Sequence, residues 1–200
     1  AGMDLYVAYP MTPATPVLHI LAGLDQEDIG VVQLENEIGV ANAALGASYA
    51  GASVMVGTSS GGFGLMTETL SLQGMSEVPL VFYLAMRPGP ATGVPTYTAQ
   101  SDLKFVLAGG HGEFPHAVVA PGDPLEAFER MAELFYLSNR YRLLSVLLSD
   151  KHLAESGYTV AGKPDFRASP GRFLTEAGGD FRSYPVTDDG VPPRAAPGEG

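Results

Sequence analysis

The chain contains no cysteine. A disulfide, a thiol nucleophile, a Cys-ligated zinc and a Cys-ligated iron–sulfur cluster are therefore excluded within it. Any redox centre working with it must sit on a partner or on another segment. Basic residues are scarce: 11 Lys and Arg stand against 22 Asp and Glu, giving a net charge of −11 and a pI near 4.6. Such a surface repels nucleic acid and anionic membranes. Long apolar runs are missing as well. The longest, Val78 to Met86, is too short to cross a bilayer. No basic-then-apolar segment opens the chain as a secretory signal would. There is no internal repeat, no low-complexity tract, and no metal-ligand spacing around His111 and His116, which flank a Gly-Glu-Phe-Pro turn. The expectation is a soluble, cytoplasmic protein with no metal site of its own.

What is there is the composition of a folded domain: 200 residues, 46% apolar, enough for one hydrophobic core. Short apolar runs at Leu5–Ala8, Val31–Leu34, Ser53–Val56, Leu80–Ala85, Ala117–Val119 and Leu143–Leu148 read as strands. Their near-continuous hydrophobicity suits strands buried on both faces of a mostly parallel sheet. Pro13–Leu24, Glu37–Ala50, Leu65–Met75 and Leu125–Tyr141 read as helices between them, the last introduced by an Asp123-Pro124 cap. Alternation of this kind predicts a doubly wound α/β fold with helices on both faces. The connection from Arg87 to Phe114 is long, rich in Gly and Pro, and holds one helix-like piece at Asp102–Leu107. Connections of that length are often functional. From Gly157 onward, Gly and Pro supply 14 of the last 44 residues, which predicts an extended arm or linker over 156–200, beyond a domain spanning 1–155.

Four strand ends carry polar residues that could meet. Tyr9-Pro10-Met11-Thr12-Pro13 follows the first strand, and its two prolines stiffen the turn. A rigid turn there can hold a ligand, or can serve only to shape the backbone. Glu37, beside Glu35 and after the cap Asn36, opens a helix rich in Ala and Gly. A carboxylate there is favoured by the helix dipole alone. Buried, such a group would have its pKa raised and could act as an acid or hold a protonated heterocycle. The small side chains of that helix suit close packing on the sheet or against a second subunit. Gly57-Thr58-Ser59-Ser60-Gly61-Gly62-Phe63-Gly64 joins a strand to a helix and lets a ligand approach closely. It is neither a Walker loop nor Gly-x-Gly-x-x-Gly, yet Gly57-x-Ser59-x-Gly61 matches a nucleophile elbow and keeps a serine hydrolase in play. Against this, Gly109-Gly110-His111-Gly112 follows the serine, whereas hydrolases place their oxyanion loop before it. Arg87 ends its strand at the same edge and could grip a carboxylate, or form a surface ion pair.

Taken in order, Tyr9–Pro13, Glu35-Asn36-Glu37-Ile38, Ala47–Ala52, Thr58–Glu68, Gly74–Pro79, Arg87–Asp102 and Gly109–Glu113 resemble the alpha subunit of 2-oxoacid:ferredoxin oxidoreductases, especially the 2-oxoglutarate type. More narrowly, they resemble its domain that binds the aminopyrimidine ring of thiamine diphosphate. The likeness covers about residues 3–155 and extends weakly to Asp188–Ala195. It implies that Glu37 hydrogen-bonds the pyrimidine ring nitrogen as the catalytic group. Thr12 and Arg87 would contact the oxoacid, while Tyr9, Pro10, Thr58, Ser59, Ser60, Gly61 and Phe63 would shape the cofactor pocket. It further implies a beta subunit that holds the diphosphate, Mg2+ and an iron–sulfur cluster. Coenzyme A would be the cosubstrate, ferredoxin the electron acceptor and acyl-CoA the product. Ser60-Gly61-Gly62 stands where the family more usually has Gly-Pro-Gly. Family members begin with a further strand and helix, of which Ala1-Gly2 would be the remnant, and continue into a second domain. A non-catalytic α/β docking module is the remaining reading of a different class.

Overall fold

Apolar runs of four to seven residues, separated by helices, pair side by side in one direction. The computed structural model describes residues 2–24, 29–165 and 171–198; Ala1 lies outside them. Strands β1 (Leu5–Ala8), β2 (Gly30–Gln33), β3 (Val54–Thr58), β4 (Leu80–Met86), β5 (His116–Val119) and β6 (Leu144–Asp150) form a six-stranded sheet in the order β2-β1-β3-β4-β6-β5. Every pairing is parallel, with Leu5 opposite both Gly30 and Val54, and Leu80 opposite Leu144. All strands therefore end at one edge.

The two faces are covered unequally. On one, Val40, Ala41, Ala44 and Leu45 of α2 (Glu37–Tyr49), Phe63 of α3 (Ser60–Leu65) and Leu70 of α4 (Thr67–Ser76) pack on Val7, Val56, Phe82 and Leu84. Val106 of α5 (Leu103–Ala108) completes that layer. On the other, Leu18 of α1 (Thr15–Ala22) and Leu134 and Phe135 of α6 (Pro124–Tyr141) cover Tyr6, Met55, Val81 and Tyr83. Each fully buried Phe or Leu in these layers contributes about 1.5–3 kcal/mol. The central strands β3 and β4 are buried at every residue. The edge strands differ from the expectation of two-sided burial: Val32 and Gln33 of β2 are exposed, and β5 is half-buried throughout. Each has a neighbour on one side only, so its outer flank meets solvent.

Two further departures have local causes. The predicted helix Leu65–Met75 is preceded by a separate helical turn, α3, because the Ser59 carbonyl accepts the Phe63 N–H at 2.9 Å. A sequence reading of Gly61-Gly62-Phe63-Gly64 as loop misses it, since glycine is a poor helix former. A short α7 (Lys151–Glu155) follows β6, capped by the Asp150 side chain on Leu153 N at 2.9 Å.

Residues 171–198 contain no helix and run across the amino edge of the sheet, where α2, α4 and α6 end. One bridge, Leu174 with Arg194, ties the segment to itself. Side chains do the rest. Arg142 donates to the carbonyls of Glu77, Ser183 and Pro193 at 2.9–3.1 Å. Arg194 donates to the Ser48 carbonyl, Arg172 pairs with Asp4 at 2.7 Å, and Tyr184 Oη bonds the Ser76 carbonyl at 3.0 Å.

Candidate functional site at the carboxyl edge

Parallel strands bring Thr12, Glu37, Ser59 and Arg87 to one edge, each just beyond its own strand. The chain also divides there: β1 sends α1 to one face, while its neighbour β3 sends α3 to the other. In an open α/β sheet, the point where neighbouring strands send their helices to opposite faces is the usual ligand position.

Glu37 begins α2. The Asn36 side chain accepts the Gly39 N–H at 2.8 Å and fixes where the helix starts; such a cap contributes about 1 kcal/mol. Neighbouring Glu35 and Asn36 are exposed, whereas Glu37 is turned inward and only 6% exposed. Against it lies Gly62. A Cβ at Gly62 would collide with Thr58 Oγ1, and would lie 2.9 Å from Glu37 Cγ and 3.1 Å from Met11 Sδ. The first turn of α3 thus rests directly on the glutamate, the threonine and the Met11 turn, and no other residue type fits. Sequence reasoning missed Gly62, although the run of three glycines around Phe63 was the available signal. Gly61, one residue earlier, faces open space.

Arg87 is 4% exposed, and its Nη1 donates to the Thr12 carbonyl at 2.7 Å. The carbonyl of Thr12, rather than its hydroxyl, therefore holds the guanidinium. Burial pushes Arg87 below its ordinary pKa, and the charge of Glu37 works in the opposite direction. Two buried polar atoms here are left without hydrogen bonds: Arg87 Nε and Ser59 Oγ. Buried polar groups are rarely orphaned in folded proteins, and a ligand is one way to satisfy them.

The structure sorts the remaining predicted residues. Tyr9 is 37% exposed, with Pro10, Met11 and Thr12 half-buried around the mouth. Thr58 lies beneath it, fully buried, with Met11 Sδ 4.0 Å from its hydroxyl. Ser60 bonds Asp102 and so anchors the start of α5 beside the loop from Arg87. Phe63 belongs to the core, edge-on to Phe82 and Phe105 at ring distances of 5.8 and 5.4 Å. No histidine bonds Ser59: His111 pairs with Glu68 at 2.9 Å, and His116 bonds the Phe114 carbonyl at 3.2 Å. The serine-nucleophile arrangement is not assembled.

A parallel doubly wound domain, with a buried carboxylate and a buried guanidinium converging at its carboxyl edge, is a cofactor-type α/β domain. The family described as pyruvate flavodoxin/ferredoxin oxidoreductase, thiamine diphosphate-binding, matches residues 1–187, and the chain belongs to it. Among curated relatives, it is 36% identical to the 2-oxoacid:ferredoxin oxidoreductase 2 alpha subunit of Aeropyrum pernix, over 97% of this chain and 33% of that protein. It is 41% identical to the 2-oxoglutarate oxidoreductase subunit KorA of Mycobacterium tuberculosis, over 85% of this chain and 26% of that one. A solved structure, the 2-oxoglutarate:ferredoxin oxidoreductase of Magnetococcus marinus with 2-oxoglutarate, coenzyme A and succinyl-CoA bound, superposes with a TM-score of 0.90. It is 38% identical, covering 98% of this chain and 35% of that one. The chain thus spans about a third of the length of the first of these relatives. Among the described residues no helix is long and apolar enough to cross a membrane, and no cluster of three metal-ligating side chains occurs.

Proposed function

We propose that this chain supplies the aminopyrimidine side of a thiamine diphosphate site in a cytoplasmic 2-oxoacid:ferredoxin oxidoreductase. It would act with a beta subunit that carries the diphosphate, Mg2+ and iron–sulfur chemistry. The observation that carries the reading is Glu37. It is a glutamate sunk to 6% exposure at the head of α2, against the glycine turn of α3 and coupled in charge to Arg87. The residues present fit the cofactor. A polar heterocycle can engage the Glu37 carboxylate and the orphaned Ser59 hydroxyl, and Gly61 leaves room beside them.

Thiamine diphosphate, when bound, supplies the electron sink that lets a 2-oxoacid lose CO2. The work of this chain is to orient and to move one proton. Glu37 would hydrogen-bond the pyrimidine ring nitrogen and exchange a proton with it in a site shielded from water. Tyr9, Pro10, Thr58, Ser60 and Gly61 would bound the ring. Arg87, fixed by the Thr12 carbonyl, would keep its remaining donors for the oxoacid carboxylate, and the Thr12 hydroxyl would face the oxo group. In balance, the oxoacid and coenzyme A become acyl-CoA, CO2, one proton and two electrons, the electrons passing singly to ferredoxin. The substrate proposed is 2-oxoglutarate. Bound 2-oxoglutarate and coenzyme A in the similar Magnetococcus marinus enzyme, and the name of the Mycobacterium tuberculosis relative, support that choice.

The test is the assembled complex with its beta subunit, assayed for oxoacid- and coenzyme A-dependent reduction of a one-electron acceptor. Glu37→Gln should lower turnover by about 10²-fold or more. Turnover equal to that of the unaltered complex would remove Glu37 from the chemistry.

A further inference from the structure

At the opposite edge of the sheet, three arginines face a cleft of about 580 Å³ between α6 and residues 173–194. Two of them are matched. Arg140 pairs with Asp189 at 2.9 Å, and Arg142 lies 3.7 Å from Glu77 while donating to backbone carbonyls. Arg194 is different. It is 6% exposed, its Nη2 donates to the Ser48 carbonyl and hydroxyl, and no described carboxylate lies within ion-pair distance of it. Its Nη1 is buried with no hydrogen-bond partner at all.

The Thr187 hydroxyl lines the same cleft but is turned to the Asp189 carboxylate, so Arg194 holds the unanswered donor there. The end of α2 offers its Ser48 carbonyl, which answers part of the charge on Arg194. Burial and the like charge of Arg142 push Arg194 down to about 10. A cation without a counter-ion, buried beside another cation in a chain of net charge −11, is costly unless something negative joins it.

We propose that this cleft binds a small oxyanion, gripped by the free side of the Arg194 guanidinium, with Arg142 at its margin. The ligand class is a singly or doubly charged group with paired oxygens, carboxylate or phosphate, matching the planar fork of arginine. Asp189 and Glu77, the carboxylates among the cleft's arginine partners, are already engaged by Arg140 and Arg142 and leave Arg194 unanswered. The site lies at the amino edge, away from Glu37, and does not depend on the function proposed above.

The experiment uses the full chain, with inorganic phosphate and acetate titrated separately at constant ionic strength set by sodium chloride. The readout is melting temperature together with titration calorimetry. A saturable rise in melting temperature with phosphate, acetate or both, absent with chloride, is expected. The anion that saturates at lower concentration identifies the oxyanion geometry. Arg194→Met should abolish the saturable response. Arg194→Lys, which keeps the charge and a donor for Ser48 but lacks the planar fork, should weaken binding several-fold and decides the matter where Arg194→Met does not fold. No saturable response in the unaltered chain, or the same response in Arg194→Lys, overturns the proposal.

Discussion

The two edges of this sheet each bury arginine, and they use it in opposite ways. At the amino edge, Arg142 is consumed by carbonyls from three segments, and residues 171–198 stay on the domain because of it. At the carboxyl edge, Arg87 makes one bond to the Thr12 carbonyl and keeps Nε unpartnered, with the charge of Glu37 acting on it. Arg142 is satisfied and holds chain, whereas Arg87 keeps a donor free, as the ligand contact proposed for it requires. Charge burial alone does not separate these roles, but the count of donors left over does.

The contrast breaks most sharply by substitution. In the assembled complex, Arg87→Met should raise the oxoacid KM by roughly tenfold to 10²-fold, the value of a lost charge-assisted pair. Folding of the chain should shift little. Arg142→Met should do the reverse. It strands buried carbonyls and costs about 3 kcal/mol in denaturant unfolding, and it opens residues 171–198 to limited proteolysis. If Arg142→Met lowers turnover without loosening that segment, the division between edges is wrong.

The core between the edges gives a smaller effect. Tyr6 is fully buried, its hydroxyl has no partner and it lies over Gly57, so Gly57→Ala would collide with the phenol. Gly57→Ala should cost about 3 kcal/mol, whereas Tyr6→Phe should be near neutral. Burial raises the Tyr6 pKa above its ordinary value of 10. The unfolded chain therefore releases that proton first, and the stability Tyr6 contributes is complete below pH 10 and lost as pH rises beyond it. Unfolding measured from pH 9 to 11.5 should fall less steeply for Tyr6→Phe. An unchanged slope would place the alkaline loss elsewhere. The smallest effects are those of Asn36→Ala, about 1 kcal/mol from the lost cap, and of a fluorophosphonate, which should leave Ser59 unlabelled.

Much of this was legible in the order of residues, for physical reasons. Central parallel strands must be apolar on both faces, so β1, β3, β4 and β6 stand out as continuous runs, and β4 differs from the expected Leu80–Ala85 by one residue. Convergence of Thr12, Glu37, Ser59 and Arg87 follows from topology once the strands are parallel, because every strand then ends at the same edge. Contacts between distant residues were not legible. That Glu37 turns inward while Glu35 does not depends on Gly62, 25 positions later, leaving no room for a side chain. Phe63, beside the site in sequence, is drawn into the core by Phe82 and Phe105. The Gly- and Pro-rich segment reads as an arm, yet Arg142 and Arg194 attach it through carbonyls about 40 to 150 residues away, and no local pattern announces such bonds.

The central claim is that Glu37 acts on the pyrimidine ring while Arg87 acts on the oxoacid. It is tested most directly by deuterium exchange at C2 of thiamine diphosphate in the assembled complex, followed by NMR without substrate. Glu37→Gln should slow that exchange by about 10²-fold or more, and Arg87→Met should leave it within a few-fold of the unaltered complex. Exchange that proceeds equally fast in Glu37→Gln, or that slows as much in Arg87→Met, would contradict the account.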